Sequence, residues 1–388
     1  VDVNRWLADK HLVVCVGSGG VGKTTTAASI GVWAALQGRK VMVLTIDPAR
    51  RLANSLGLDQ MDSDGAKIDL TPVEDRRVPG TNGELWAMML DSRRTFDDLI
   101  ARIAPSPEVR DRILANHIYR NMADAFAGSQ DYMATERIYD VASAGRFDLV
   151  VLDTPPVKNA LDFLESPGRL VKFLDAKVLA WFLEPASGSW AGPFGGLMAG
   201  TSAIVLRLLA AVLGKQFVED LTEFMRDFEA LFEGFRKRHD EVMKLFRRRD
   251  TTFLTVCAPS ESSVDVAAFF QEELARRELP RAGVVVNQVH RCASTEHAAD
   301  AALGVEAREL GADLGGPVVA SVLARLSMAH KRLAALAESE KGLIARVRAP
   351  ARGADFFQEV PRLDTEVNDL PSLYEVGRRL FGEPASIP

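Results

Sequence analysis

The chain has 388 residues, of which 47% are hydrophobic and 26% charged, the balance of a globular protein with a large core rather than a disordered or fibrous one. A net charge of −6 argues against bulk attraction to nucleic acid or anionic lipid, both of which need a cationic surface, so no nucleic-acid partner is expected. Cys15, Cys257 and Cys292 are far apart and form no C-x-x-C pair, which suggests neither a disulfide framework nor a zinc knuckle.

From the N-terminus, Leu12 to Val16 reads as a buried strand, Thr24 to Gln37 as a helix, and Val41 to Ile46 as a second Val-rich strand ending in Asp47. Apolar runs of this length, joined by short loops around a helix, make a βαβ unit and predict a parallel sheet covered on both faces. Further strands are expected at Leu85 to Leu90, Phe147 to Leu152, Thr252 to Val256 and Gly283 to Val286. Between Leu152 and Thr252 the pattern is mostly helical. Pro185 to Leu206 carries no charge, but its prolines, glycines and serines argue against a membrane-spanning helix. Glu219 to Arg249 places Leu221, Phe224, Phe228, Leu231, Phe232 and Phe235 at steps of mostly three and four, the spacing of an amphipathic helix. A second helix is expected over Ala320 to Val347, and a short one towards Phe381.

The segment between the first strand and first helix, Gly17-Ser18-Gly19-Gly20-Val21-Gly22-Lys23-Thr24, meets the phosphate-binding pattern G-x-x-x-x-G-K-[ST] in its required context. Glycines let successive backbone N–H groups curl around phosphate oxygens, and the helix N-terminus adds a positive dipole. Lys23 then reaches the β and γ phosphates, Thr24 ligates Mg²⁺ through its hydroxyl, and Gly19, Gly20, Val21, Gly22 and Thr25 complete the cradle. No second copy of the pattern exists in the chain, so it holds one nucleotide site. The loop comes so early that no secretory signal precedes it here, and Asp2 and Asp9 do not fit a cationic targeting segment; a cytoplasmic location follows, in part membrane-associated.

Asp47 opens Asp47-Pro48-Ala49-Arg50-Arg51 at a strand's carboxyl end, where ligands of parallel sheets gather. It is positioned to orient or deprotonate an attacking water or to bind magnesium through water; capping the next helix is the alternative. Asp153 follows an apolar strand as a Walker B carboxylate does and is assigned to the Mg²⁺ shell. Thr154-Pro155-Pro156 after it couples a turn to a helix and can rearrange when a phosphate is lost. Asn287-Gln288 ends a Val-rich strand, where an amide can read a purine edge or simply form a turn.

These residues together resemble the deviant-Walker family that contains the arsenical pump-driving ATPases and the cytosolic ATPases delivering tail-anchored membrane proteins. The resemblance runs from the P-loop through Asp47-Pro48-Ala49 and Asp153-Thr154-Pro155-Pro156 to Asn287-Gln288 and the tail from Val360 to Val367. It implies an α/β P-loop NTPase fold, a mostly parallel sheet flanked by helices, with an inserted α-helical subdomain. It also implies hydrolysis of ATP to ADP and phosphate with Mg²⁺, Asp47 activating water, and Asp47, Pro48, Asp153, Thr154 and Pro155 switching. Asn287 then contacts adenine, and Pro361 and Leu363 belong to the loop that closes over the base. The expected division is 1–165 for the first part of the core, 166–250 for the insertion, and 251–388 for the second part.

In targeting members the insertion holds a hydrophobic client groove, and here it contains Trp181, Phe182, Trp190, Phe194, Leu197 and Met198, which serve either a client helix or internal packing. The partners implied are a homodimer or a heterodimer with a paralogue, plus a hydrophobic helix of a client membrane protein or a membrane partner. Three features depart from the pattern. Ser18 stands where the family usually carries a lysine that reaches the partner's site, leaving Arg50 or Arg51 as substitute cations. The zinc-binding cysteine pair is absent, so no zinc is expected, and no cysteine cluster suits arsenite. The leading expectation is an ATPase whose cycle rearranges a dimer and a hydrophobic client surface. An energising subunit of a membrane transporter and a slow nucleotide-gated regulator are the alternatives.

Overall fold

The computed structural model describes residues 3–46, 51–58, 61, 64–120, 130–154, 215–292, 316–351 and 356–382. Asp47, Pro48, Arg50 and Pro155 lie outside these residues, as do Trp181, Phe182, Trp190, Phe194, Leu197 and Met198. In chain order the elements begin α1 (Val3–Ala8), β1 (Leu12–Val16), α2 (Lys23–Leu36), β2 (Lys40–Thr45), α3 (Arg51–Ser55) and β3 (Ala66–Lys67). After a 3-10 turn (Thr71–Arg76) come β4 (Glu84–Met89), α4 (Ser92–Ile103), α5 (Pro107–Ala115), α6 (Gln130–Ser143) and β5 (Leu149–Asp153). The remainder is α7 (Lys215–Glu229), α8 (Phe232–Phe246), β6 (Thr251–Cys257), α9 (Glu261–Arg276), β7 (Arg281–Val289), α10 (Gly316–Arg348), β8 (Phe356–Pro361) and α11 (Leu370–Phe381).

The strands form one sheet in the order β3-β4-β2-β5-β1-β6-β7-β8. Every neighbouring pair is parallel except the short edge pair β3 and β4. All six strands expected from the sequence are present, and Asp153, expected just past its strand, is the last residue of β5. Two strands were not expected. β3 has only two residues, and β8, Phe-Phe-Gln-Glu-Val-Pro, ends in Pro361, a residue that reads as a loop and is tolerated because the strand lies at the sheet edge.

Fully buried residues of β1, β2 and β5 point alternately to the two faces. One face packs under α2 and α11, with Trp33 and Phe381 4.7 Å apart; the other packs under α6, α8 and α9. Residues 219–249 read as one helix, but the chain breaks into α7 and α8 at Ala230 and Leu231. Leu231 is buried, and Gly234 in the first turn of α8 lies so close to α4 that a Cβ would come within 2.6 Å of Ile103 Cβ.

α7 and α8 share an apolar cluster with α4, α5 and α6 that includes Phe96, Ile100, Tyr119, Phe224, Phe228 and Phe235. The helical layer therefore reaches back into residues 92–143, earlier in the chain than the sequence pattern indicated. Arg238 of α8 is largely buried, donates to Glu136 at 2.6 Å, pairs with Asp140, and stacks over Tyr139 at 4.0 Å. Burial pushes the Glu136 carboxyl above its ordinary pKa, against the pull of Arg238. On the outer side, Arg112 grips the buried Asp227 through two bonds of 2.8 and 2.7 Å.

Candidate functional site

The site lies at the carboxyl ends of β1, β5 and β7, neighbours or near neighbours at the middle of the sheet. After β1 the chain turns through Gly17, where a Cβ would collide with the Val256 carbonyl oxygen at 2.0 Å. The loop ends at Gly22, which caps α2 in the left-handed region with φ of 91°. A side chain there would be strained by φ and would strike Asn287 Nδ2 at 2.3 Å. Glycine is thus required twice over, by conformation and by the close approach of β7.

Lys23 is 6% exposed, and its ammonium donates to the Ser18 carbonyl at 2.7 Å. Thr24 donates its hydroxyl to Asp153 Oδ2 at 2.7 Å, and Thr45 donates to the same oxygen at 3.1 Å. Strand register makes this meeting possible, because Asp153 is the parallel partner of Thr45 on one side and of Cys15 on the other. Asp153 is fully buried. Thr154 follows it and donates to the Cys15 carbonyl at 2.8 Å. Burial above all, then the Asp153 carboxylate, pushes the Cys15 thiol far up, so it titrates outside any working range.

At β7 the pairing register slips between Val286 and Val289, and Gln288 takes a left-handed φ of 62°. Irregularities of this kind re-aim side chains beside functional sites. Here Asn287 Nδ2 is turned onto the Val21 carbonyl at 2.9 Å, and Gln288 Nε2 lies 3.4 Å from the Gly20 carbonyl. Two cavities flank this contact. One, of about 650 Å³, is lined by Gly19, Gly20, Lys23, Thr24, Ser55 and Thr154. The other, of about 520 Å³, is lined by Asn287, Pro361, Arg362, Leu363 and Asn368. They share Gly22, Thr25, Gln288 and Val367 and so form one cleft.

The structure therefore brings together the P-loop residues, Asp153, Thr154, Asn287, Pro361 and Leu363. It also reveals contributors that sequence reasoning passed over. Ser18 Oγ donates to Ser263 Oγ at 3.0 Å, and Ser263, buried in the first turn of α9, accepts the Ala258 N–H at 3.0 Å. The serine in the lysine's place is thus bonded within its own chain. Thr45 is a polar residue ending the otherwise apolar run Val41 to Leu44, a signal that was legible. Ser263 sits among other polar residues, and nothing in its sequence context marks it. Oxygen donors alone, the Thr24 hydroxyl and the buried Asp153 carboxylate, suit a hard divalent cation such as Mg²⁺; among the described residues no His, Cys, Asp and Glu cluster forms a metal cage.

Residues 10–302 match the model of the anion-transporting ATPase family. The chain is similar to the ATPase GET3 of Podospora anserina, 26% identical over 274 residues that cover 70% of this chain and 71% of that protein. It is likewise similar to the ATPase get3 of Schizosaccharomyces japonicus, 28% identical over 70% of this chain and 72% of that protein. The family match covers most of the chain and contains the P-loop, Asp153 and Asn287, the residues that the fold gathers around one cleft. The chain belongs to the anion-transporting ATPase family.

Proposed function

We propose that the chain binds ATP with Mg²⁺ across the joined cleft, hydrolyses it to ADP and phosphate, and uses the cycle to rearrange a dimer and a hydrophobic helical client surface. The observation that carries this reading is the continuity of the P-loop cavity with the cavity under Pro361 and Leu363, with Asn287 bonded to the P-loop between them. Phosphates take the backbone N–H groups of Gly19 to Gly22 and the start of α2. Lys23 exchanges the Ser18 carbonyl for phosphate oxygens. Thr24 and Asp153 would hold Mg²⁺, which when bound would neutralise charge developing on the phosphates. Asp47, two positions past Thr45 in the sequence, orients the attacking water and takes its proton.

For the base, Asn287 commits Nδ2 to Val21, leaving Oδ1 as an acceptor. An acceptor suits the exocyclic amine of adenine and repels the carbonyl of guanine, which supports ATP over GTP. Resemblance to the tail-anchored targeting ATPases supports the client reading, with Trp181, Phe182, Trp190, Phe194, Leu197 and Met198 as the client surface, and the same resemblance supports a cytoplasmic location. No helix among the described residues is long and apolar enough to cross a membrane. The family's description as anion-transporting favours a second reading, an energising subunit docked on an integral partner.

Two measurements test the proposal. Steady-state turnover in wild type and Asp47→Asn addresses the chemistry: we expect a fall of ~10²-fold or more, as for loss of a positioned base, and equal rates remove Asp47 from the mechanism. Capture of a hydrophobic helix peptide with and without residues 185–206 addresses the client surface, and equal capture eliminates it. Stoichiometric co-purification with one integral protein supports the transporter reading instead.

A further inference from the structure

Near its C-terminus α10 packs on the sheet through a short stripe: Ile344 and Val347 share a buried cluster with Val284, Val286 and Val289 of β7. One turn earlier the stripe continues at Glu340, four residues before Ile344, where the helical period calls for an apolar residue. Glu340 is 3% exposed. A carboxylate in such a place must be hydrogen-bonded, and each of its oxygens has a donor in the same residue. Oε2 accepts the backbone N–H of His290 at 2.8 Å. Oε1 lies 2.6 Å from His290 Nδ1, which is the donor against a carboxylate.

His290 is the first residue after β7, and just before it come the register slip and the left-handed Gln288. A non-glycine residue in that region is strained and keeps its conformation only where the chain on both sides is fixed. Upstream, Val284 to Val286 are paired with β6 and β8, and Asn287 bonds Val21. Downstream, Val289 accepts the Arg362 N–H at 3.0 Å, and His290 is gripped by Glu340. The bond from Arg362 also hangs the wall of the base cavity, Pro361 to Leu363, on this same short piece of chain.

We infer that Glu340 is a positioning residue for base recognition: by gripping His290 it holds the strained turn at Gln288, and with it the Asn287 amide and the loop from Pro361 to Leu363, in the arrangement that selects adenine. The inference rests on the reading of Asn287 as the group that meets the base. Asn287 has little room for error, since a Cβ on Gly22 would come within 2.3 Å of its Nδ2. A small shift breaks the bond to Val21 and frees the amide to turn. It then presents a donor as readily as an acceptor, and meets the carbonyl of guanine as well as the amine of adenine. Loss of the grip therefore weakens ATP binding and its preference over GTP. Lys23, Thr24 and Asp153 stand on α2 and β5 and keep their places, so the chemical step is spared.

The test is displacement of a fluorescent nucleotide by ATP and by GTP from the full chain, as wild type, E340A, E340Q, N287A and E340A/N287A, each with a thermal melt and steady-state kinetics on ATP. E340A is expected to lower the ATP-over-GTP affinity ratio by about 10-fold, the order of one hydrogen bond, and to raise KM with kcat near wild type. E340Q should keep the ratio, because its amide oxygen still accepts the His290 N–H and its NH₂ group suits the other ring tautomer. N287A should lose the ratio, and E340A should change it no further in that background. If E340A does not fold, E340D, which withdraws the carboxylate by one methylene, is expected to lower the ratio in its place. A variant that melts lower yet keeps the wild-type ratio makes Glu340 a packing residue and overturns the inference while sparing the reading of Asn287. An undiminished E340A effect in the N287A background does the same. N287A with the wild-type ratio overturns both.

Discussion

At the P-loop, side chains are bonded mostly to backbone: Lys23 to Ser18, Asn287 to Val21, Thr154 to Cys15. In the cluster of α4 to α8, side chains are bonded to and stacked on one another: Arg238 with Glu136 and Asp140, Tyr119 with Asp97, Phe228 between Phe224 and Phe235. The first region is specified by where a chain can turn and how closely two backbones approach. The second is specified by volume and by charges that cannot lose their partners. Two such regions fail differently, and five variants and one treatment separate them.

The largest effect is expected at the cradle. Gly22→Ala puts a methyl into a left-handed position facing Asn287 and should abolish nucleotide binding with a measurable loss of stability, while Lys23→Ala should lower turnover by ~10²- to 10³-fold with thermal stability near wild type. Loss of folding in either would show that the cradle and the core are one unit. Next comes the helical cluster. Arg238→Ala leaves the buried Glu136 without its cation, while Asp140 keeps Arg102, and should cost about 3–5 kcal/mol in chemical denaturation, with nucleotide affinity of the folded fraction unchanged. An altered affinity would instead couple the helical layer to the P-loop.

Ser263→Ala lies between the two regions. It removes the acceptor of both Ser18 and the Ala258 N–H, worth about 1–3 kcal/mol. If the serine positions the P-loop, part of that loss appears as weaker nucleotide affinity, and Ser263→Thr restores it; loss of stability alone would make it a packing residue. The smallest effect concerns the thiols. Burial pushes Cys257 up to about 12 and Cys15 higher still, so both stay protonated at pH 8. Cys292 is only half-buried. Mass spectrometry after alkylation of native protein should find Cys292 as the one modified cysteine.

Much of this was legible beforehand, for reasons that can be named. Six strands were visible because a parallel sheet covered on both faces needs unbroken apolar runs, and Val13 to Val16 or Val284 to Val286 have no other use. The P-loop was visible because phosphate binding by backbone leaves glycines at fixed spacing. β8 was missed because an edge strand needs neither continuous apolarity nor every N–H, so Pro361 was compatible with it. The break between α7 and α8 was missed because the apolar spacing of three and four runs straight through Ala230 and Leu231, with no proline or glycine at the break.

By itself the sequence determined the strand–loop–helix core, the phosphate cradle and the identity of the carboxylate at the end of β5, since each depends on local spacing and on a short stretch of chain. Only the tertiary structure decided what surrounds them. Thr45 and Thr24 converge on Asp153 through strand register, Asn287 reaches Val21 through a slip in β7, and the tail residues Pro361 and Leu363 come to face Gly22 through β8. Ser18 is the sharpest case: the sequence shows a missing lysine, and the fold shows a hydroxyl bonded to Ser263, 245 positions away. Spacing fixes what one segment can do alone, whereas contacts between segments follow from how the whole sheet closes its core.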